Sequence, residues 1–192
     1  DKLGFGNLIV GAVYRDYKLE TGGTLYTDYS TPIKYQEYGG YAQLKSNILQ
    51  DKVTMTASVR YDKQNVMDDG NFTPRLGFLV NLSENQNIRI SAQTGFRNPT
   101  NQDKFIGLFN GSFSILGNQR ESVNRFNQTV RLRNQQPGVF TGNYVFENSF
   151  NKIDLSAADL NYAKAESVST IELGYRYNDS GFTFDVSGYY NA

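Results

Sequence analysis

VTMTASVRYDKQNVMDDGNFTPRLGFLVNLSENQNIRISAQTGFRNP, residues 53–99, decides the fold. Three runs within it alternate residue by residue. In the first, Val53, Met55, Ala57, Val59 and Tyr61 share one face, with Thr54, Thr56, Ser58, Arg60 and Asp62 on the other. In the second, Phe72, Pro74, Leu76, Phe78, Val80 and Leu82 oppose Thr73, Arg75, Gly77 and Asn81, with Leu79 out of pattern. In the third, Ile88, Ile90, Ala92, Thr94 and Phe96 oppose Asn87, Arg89, Ser91, Gln93, Gly95 and Arg97. A period of two sustained this long predicts long antiparallel strands with one polar and one apolar face. The fold then turns on what the apolar face meets.

Working outward, the same pattern recurs. Leu8–Tyr17 predicts a first strand, apolar on both sides in its first half. A polar segment over 18–32 reads as a loop with a hairpin extension at Gly23–Tyr26. A second strand runs over 33–49, with Tyr38, Gly40, Ala42, Leu44, Ser46 and Ile48 on its apolar or small face. After the strands of the opening stretch comes a very long connection from about Asn98 to Lys164. Connections of this length in compact domains are functional or disordered. Two alternating pieces in it, Ser122–Arg133 and Val139–Glu147, predict hairpin strands. Glu166–Tyr177 and Phe182–Asn191 predict the sixth and seventh long strands.

The connections run long, short, medium, short, very long, short. Short turns therefore share one end of the strands and long loops the other, as in outer-membrane barrels. A β-sandwich has no reason to sort its loops this way. The strands reach the 9–11 residues that a tilted crossing needs. In-strand charges (Lys45, Arg60, Arg75, Arg89, Arg97, Glu172, Arg176, Asp185) fall on the polar faces. Tyr14, Tyr38, Tyr61, Phe72, Phe96 and Tyr190 gather toward the long-loop ends, with Tyr177 and Phe182 at the other, as interfacial girdles do. The predicted fold class is all-β, an antiparallel transmembrane β-barrel, with residues 1–192 one segment of it.

Composition narrows function. Of 192 residues, 19 are basic and 19 acidic, a balance that argues against a nucleic-acid partner. There is no His and no Cys, so the usual general base, zinc ligand and thiolate are missing. Nothing is spaced for a Ser or Thr nucleophile. The chain reads as a non-enzyme with no cofactor and no metal site. Asp68-Asp69 lacks calcium-loop spacing and reads as a solvated tip. Seven strands are odd in number where single-chain bacterial barrels are even, so the chain reads as a fragment.

Gly95-Phe96-Arg97-Asn98-Pro99-Thr100 resembles the aromatic-Arg-x-Pro motif that ends a barrel strand in TonB-dependent outer-membrane receptors. Glu172-Leu173-Gly174-Tyr175-Arg176 is similar to a later motif of that family, with Ala165-Glu166 where Pro-Glu is usual. Glu37–Gln43, Arg60-Tyr61-Asp62 and Phe72–Arg75 resemble the Bacteroidetes branch. The resemblance implies a 22-stranded barrel with an N-terminal plug that this sequence does not hold. It implies the bacterial outer membrane, with its lipid as one partner. It also implies active uptake of a large scarce nutrient: an iron chelate, cobalamin, an oligosaccharide or a peptide. The TonB–ExbB–ExbD complex would supply energy through the absent plug. The alternatives are a porin-like passive channel, or a structural or secretion-associated barrel that binds a surface lipoprotein. Candidate substrate-binding residues are Arg97, Phe105, Phe109 and Phe113, at or in a 98–164 loop expected to be extracellular. Loop aromatics grip ligands or form the loop's own core, and both readings stand here. Arg60, Arg75, Arg89 and Arg176 are candidates for contact with the lumen or plug, or for pairing with lumen carboxylates such as Asp62, Glu172 and Asp185.

Overall fold

The structure is a computed structural model that describes residues 2–3, 6–109, 114–126, 143–147, 154–158 and 162–192. Its strands are β1 (Lys2–Leu3), β2 (Gly6–Leu19), β3 (Ile33–Ile48), β4 (Val53–Gln64), β5 (Asn71–Ser83) and β6 (Gln86–Arg97). A short helix α1 (Asn101–Phe105) follows, then β7 (Gly107–Phe109), β8 (Ser114–Leu116) and a helical segment over 120–126. Strands β9 (Asn143–Glu147), β10 (Asp154–Ala158), β11 (Glu166–Asp179) and β12 (Phe182–Asn191) complete the order. The chain divides into two units. The first holds residues 1–16, 36–98 and 165–192; the second holds 17–35 and 99–164.

The first unit is a wall. One sheet runs in the order β1-β2-β3-β4-β5-β6-β11-β12 and does not close on itself. Its pairings are antiparallel, and their register sorts residues into rows. Ile48–Val53–Val80–Ile88–Tyr175–Val186 is one continuous row across six strands. Ser46–Met55–Phe78–Ile90–Leu173–Gly188 and Leu44–Ala57–Leu76–Ala92–Ile171–Tyr190 are the next two. None of the three holds a charge. Between them, on the other face, lie Asn47–Thr54–Leu79–Arg89–Gly174–Ser187, then Lys45–Thr56–Gly77–Ser91–Glu172–Tyr189, then Gln43–Ser58–Arg75–Gln93–Thr170–Asn191. Each strand's alternation is thus in phase with its neighbours', and Leu79, out of pattern in the sequence, takes its place in a polar row.

Apart from the covered Val53 and Ser46, much of the apolar face is open among the described residues. Ile171 is 61% and Leu173 59% exposed, and Phe72, Val186 and Tyr190 are exposed as well. A continuous apolar surface of this extent on a soluble monomer is an aggregation liability; against lipid it is the required surface.

Register also fixes a stagger. The Ile48↔Val53 pair is the last of β3–β4, yet β11–β12 runs four pairs past the same row, to Asp179↔Phe182. Four residues over the four strand steps from β4 to β12 is about one residue per strand. In closed barrels a shear of one residue per strand corresponds to a tilt of about 36°. At that tilt a 12-residue strand such as β4 rises about 32 Å, close to the ~30 Å of a bilayer's hydrocarbon core. The turns at 49–52, 84–85 and 180–181 share one end of the wall, and the strand ends at Gln64, Asn71, Arg97 and Glu166 share the other.

The second unit differs from expectation in its details. Over 120–126 the chain is helical rather than a hairpin strand. Glu121 and Arg125 pair at i,i+4, and Arg125 also donates to the Thr31 and Pro32 carbonyls, which fixes the helical turn. The apolar residues of this stretch, Val123 and Phe126, lie three apart, a helical spacing and not a period of two. Residues 127–133 lie outside the described residues. The Val139–Glu147 strand is present as β9 from Asn143, paired with β10; 139–142 lie outside the described residues. The hairpin extension at 23–26 is absent. Gly22 and Gly23 adopt positive φ in a tight turn, and Tyr26 bridges Ile106 instead.

Candidate functional site

The polar face of the wall carries the candidate arginines, and most of them are engaged. Arg60 lies two residues from Asp62 on β4, so alternation puts both on one face. Its Nε and Nη2 donate to the two Asp62 oxygens at 2.5 Å each. Asp62 is buried, and so are Glu37 and Gln64 beside it. Glu37 accepts from Arg15 and from Gln64. Gly39, within Glu37–Gln43, makes room for this network. A Cβ on Gly39 would stand 2.6 Å from both Asp62 Oδ1 and the Tyr61 carbonyl.

Arg89 reaches further. Its guanidinium donates to both oxygens of Asp185 on β12, at 2.7 and 3.2 Å, across the intervening β11. Gly174 is the β11 residue directly beneath, and a Cβ there would meet Nε and Nη2 of Arg89 at 3.2 Å. The glycine of the Glu-Leu-Gly-Tyr motif is thus the slot through which one arginine ties three strands. Arg97 pairs with Glu166 at 2.8 Å, at the root of the long connection, with both side chains well exposed. Arg75 and Arg176 have no ion-pair partner among the described residues. The arginines therefore divide: Arg60 and Arg89 are engaged by carboxylates of the wall, while Arg75 and Arg176 pair with no acid among the described residues.

In the second unit a small core gathers residues from distant parts of the chain. Phe105 and Ile33 are fully buried. Tyr35 stacks on Tyr17 with ring centroids 4.5 Å apart and tilts against Phe105. Lys104, also buried, holds its ammonium 4.3 Å over the Tyr35 ring. Of the candidate substrate contacts, Phe105 is thus the loop's own core. A ring with no exposed surface offers nothing to a ligand, and the burial follows from its position at the helix end against Tyr35. The Phe109 side chain and all of Phe113 lie outside the described residues. Leu108 and Ile115 face each other across β7–β8.

This unit is clasped by a carboxylate that sequence reasoning missed. Asp28 is buried and accepts from the Thr21 backbone N–H and hydroxyl and from the N–H groups of Gly22 and Gly23. Burial alone would push its carboxyl up; the four donors outweigh burial and hold it below its ordinary value. The T-G-G turn with an acid five to seven residues on was the available signal. Gly117 is a second missed position: a Cβ there would stand 2.4 Å from the Lys104 carbonyl and the Phe105 nitrogen. Thr27 and Ser122 share a buried hydroxyl–hydroxyl hydrogen bond, and Gln119 reaches the Ala163 carbonyl. Among the described residues no group of His, Cys, Asp or Glu is gathered to hold a metal. Nor is any helix among them long and apolar enough to cross a membrane.

Comparison with known proteins accounts for this architecture. No curated protein matches the chain. Among solved structures the chain is similar to the FrpB iron transporter from Neisseria meningitidis (F3-3 variant), with a TM-score of 0.54 at 15% identity. The superposition covers 98% of this chain and 25% of that one, so the chain spans about a quarter of the length of the solved protein. At that identity the likeness is one of fold. The family profile described as TonB dependent receptor-like, beta-barrel matches residues 2–192. With its apolar rows, polar rows and barrel stagger, the chain belongs to the TonB-dependent receptor β-barrel family, whose members are outer-membrane proteins.

Proposed function

We propose that this chain is part of the wall of an outer-membrane receptor that takes up a large scarce nutrient with energy from the TonB system. The carrying observation is the two-faced sheet. It has apolar rows for lipid, polar rows for a lumen, and a stagger of about one residue per strand. Sheet edges cannot stay open in hydrocarbon, so further strands must close the barrel. That requirement, with the 25% coverage of the solved relative, supports reading the chain as one portion of a larger receptor. The Glu37–Gln43, Arg60–Asp62 and Phe72–Arg75 segments support a Bacteroidetes-type member. The TonB–ExbB–ExbD complex, acting through a plug domain, and the imported ligand are the partners in this reading.

The 98–164 connection is proposed as the extracellular cargo loop. Arg97 stands at its root, and its exposed ion pair with Glu166 is of the kind worth about 0–1 kcal/mol, which a ligand can exchange at little cost. Phe109 and Phe113 are the proposed aromatic contacts. The test is uptake in cells whose only route for the nutrient is this receptor, with and without the proton-motive force. Loss of uptake on de-energising the inner membrane is the expected result. Uptake that persists would mean a passive channel and overturn the reading.

A further inference from the structure

Gly77 lies on the polar face of the wall. On that face Gly39 and Gly174 have close neighbours, whereas a Cβ on Gly77 would meet nothing nearer than 3.8 Å; the open Gly40 and Gly188 belong to the apolar face. A glycine inside a strand costs about 0.5–1 kcal/mol relative to alanine, and no packing in the wall requires this one. Glycine at such a position marks a place where something else comes close.

The surroundings define what would come. Gly77 lies between Thr56 on β4 and Ser91 on β6, and Ser58 is the next polar-face residue along β4. The floor is therefore small and hydroxylated. Two cations flank it. Lys45 of β3 is directly across from Thr56, and Arg75 of β5 is directly across from Ser58. They stand one strand to either side of β4 and two residues apart along it, about 12 Å apart at the backbone, a span that two long side chains close over the hydroxyls. Both are exposed, and neither has an ion-pair partner among the described residues. Gln43 and Gln93 continue the row on either side. Of the acids on this face, Asp62 is held by Arg60 and Asp185 by Arg89. Glu172 lies two strands from Gly77, beyond Ser91. Among the described residues the patch thus holds two positive charges with no paired acid, over a notch with hydroxyl and amide donors.

We propose that Lys45, Arg75 and the Gly77 notch form a seat for a carboxylate inside the lumen. The carboxylate belongs either to a passing solute or to a protein segment that occupies the barrel. The proposal rests on the assignment of the polar face to the lumen. The described sequence has no cysteine, so Ser58→Cys places a single thiol of this segment in the seat.

The test uses the full-length receptor in detergent, with anionic (sulfonate) and cationic (trimethylammonium) methanethiosulfonate reagents. With each rate taken relative to that reagent's rate with a free small thiol, two like charges near the thiol predict modification at least about tenfold faster by the anionic reagent. Lys45→Gln combined with Arg75→Gln should bring the ratio close to one. Protection of the thiol by sodium citrate, but not by chloride at equal ionic strength, identifies a solute carboxylate. A thiol closed to both reagents that opens in urea with the same anionic preference identifies a protein segment. Reaction indifferent to reagent charge, or a preference that survives in the double glutamine variant, overturns the seat. Ile90→Cys, on the apolar face, separates the two levels. If it reacts while Ser58→Cys stays closed even in urea, the face assignment fails, and with it both the seat and the proposed wall.

Discussion

The wall and the unit built from 17–35 and 99–164 satisfy polar groups and bury apolar ones in opposite ways. The wall has almost no core. Its stability rests on ladders of backbone hydrogen bonds and on a solvent that accepts its apolar face, so each strand needs only the correct parity. The second unit has a core, but a small one: Ile33, Tyr35 and Phe105 with the buried Lys104. Its shape depends on a few irreplaceable contacts, among them the Asp28 clasp and the Gly117 close approach. Outside close approaches such as Gly39 and Gly174, the wall therefore tolerates substitutions that respect a face, whereas the second unit is sensitive to single atoms at particular places.

The largest effect that would break this contrast is a charge on the wrong face. Ile90→Arg places a guanidinium among the lipid-facing rows and should cost about 2–4 kcal/mol at mid-wall. Ser91→Arg, one residue on, should be tolerated. Urea unfolding of the detergent-folded barrel measures both, and equal penalties would refute the two-faced wall. In the second unit, Asp28→Ala leaves the turn's N–H groups without their charged acceptor and should cost about 2 kcal/mol locally. Hydrogen exchange at Thr21, Gly22 and Gly23 should rise while exchange in β4–β6 stays unchanged.

The same clasp has a pH dependence with a definite sign. Because Asp28 titrates below its ordinary value of 3.8 in the folded chain, its contribution is complete above that value. It is lost only as pH falls through the lower folded one. Accelerated exchange at pH 5 to 7 would contradict this. A smaller effect is expected at Gly174. Gly174→Val fills the slot beneath Arg89 and should release Asp185, costing at most about 1 kcal/mol because the pair is more than a third exposed. The edge strand β12 is the place to look for faster exchange.

The smallest effect has the opposite sign. Leu49, Gln50 and Asp51 all adopt positive φ at the β3–β4 turn. Asp51→Gly relieves one left-handed residue and should stabilise by about 0.5–1 kcal/mol, visible as a later urea midpoint.

How much of this was legible depended on what kind of order each region uses. Period-two alternation is local, so Val53–Phe96 displayed its faces directly, and the sorting of turns displayed their ends. The pairing of Arg60 with Asp62 was readable because both sit on one strand. The tie from Arg89 to Asp185 needed the register of three strands, and Gly174 had no visible purpose until that register was known. Phe105 illustrates the limit from the other side. An aromatic in a polar loop reads equally as ligand contact or as core, and only its packing against Tyr35, seventy residues earlier, separates the two. The helix over 120–126 was misread as a strand because its two apolar residues, Val123 and Phe126, are too few to display a period, and their spacing of three is helical.

The sequence alone determined the strands, their faces, the ends at which they turn and the absence of His and Cys chemistry, because each is a property of neighbours along the chain. Tertiary structure decided which arginines are engaged by carboxylates, which glycines have close neighbours and which are open, and how 17–35 joins 99–126. Those depend on register and on contacts between residues far apart in sequence, and alternation within one strand carries no information about either.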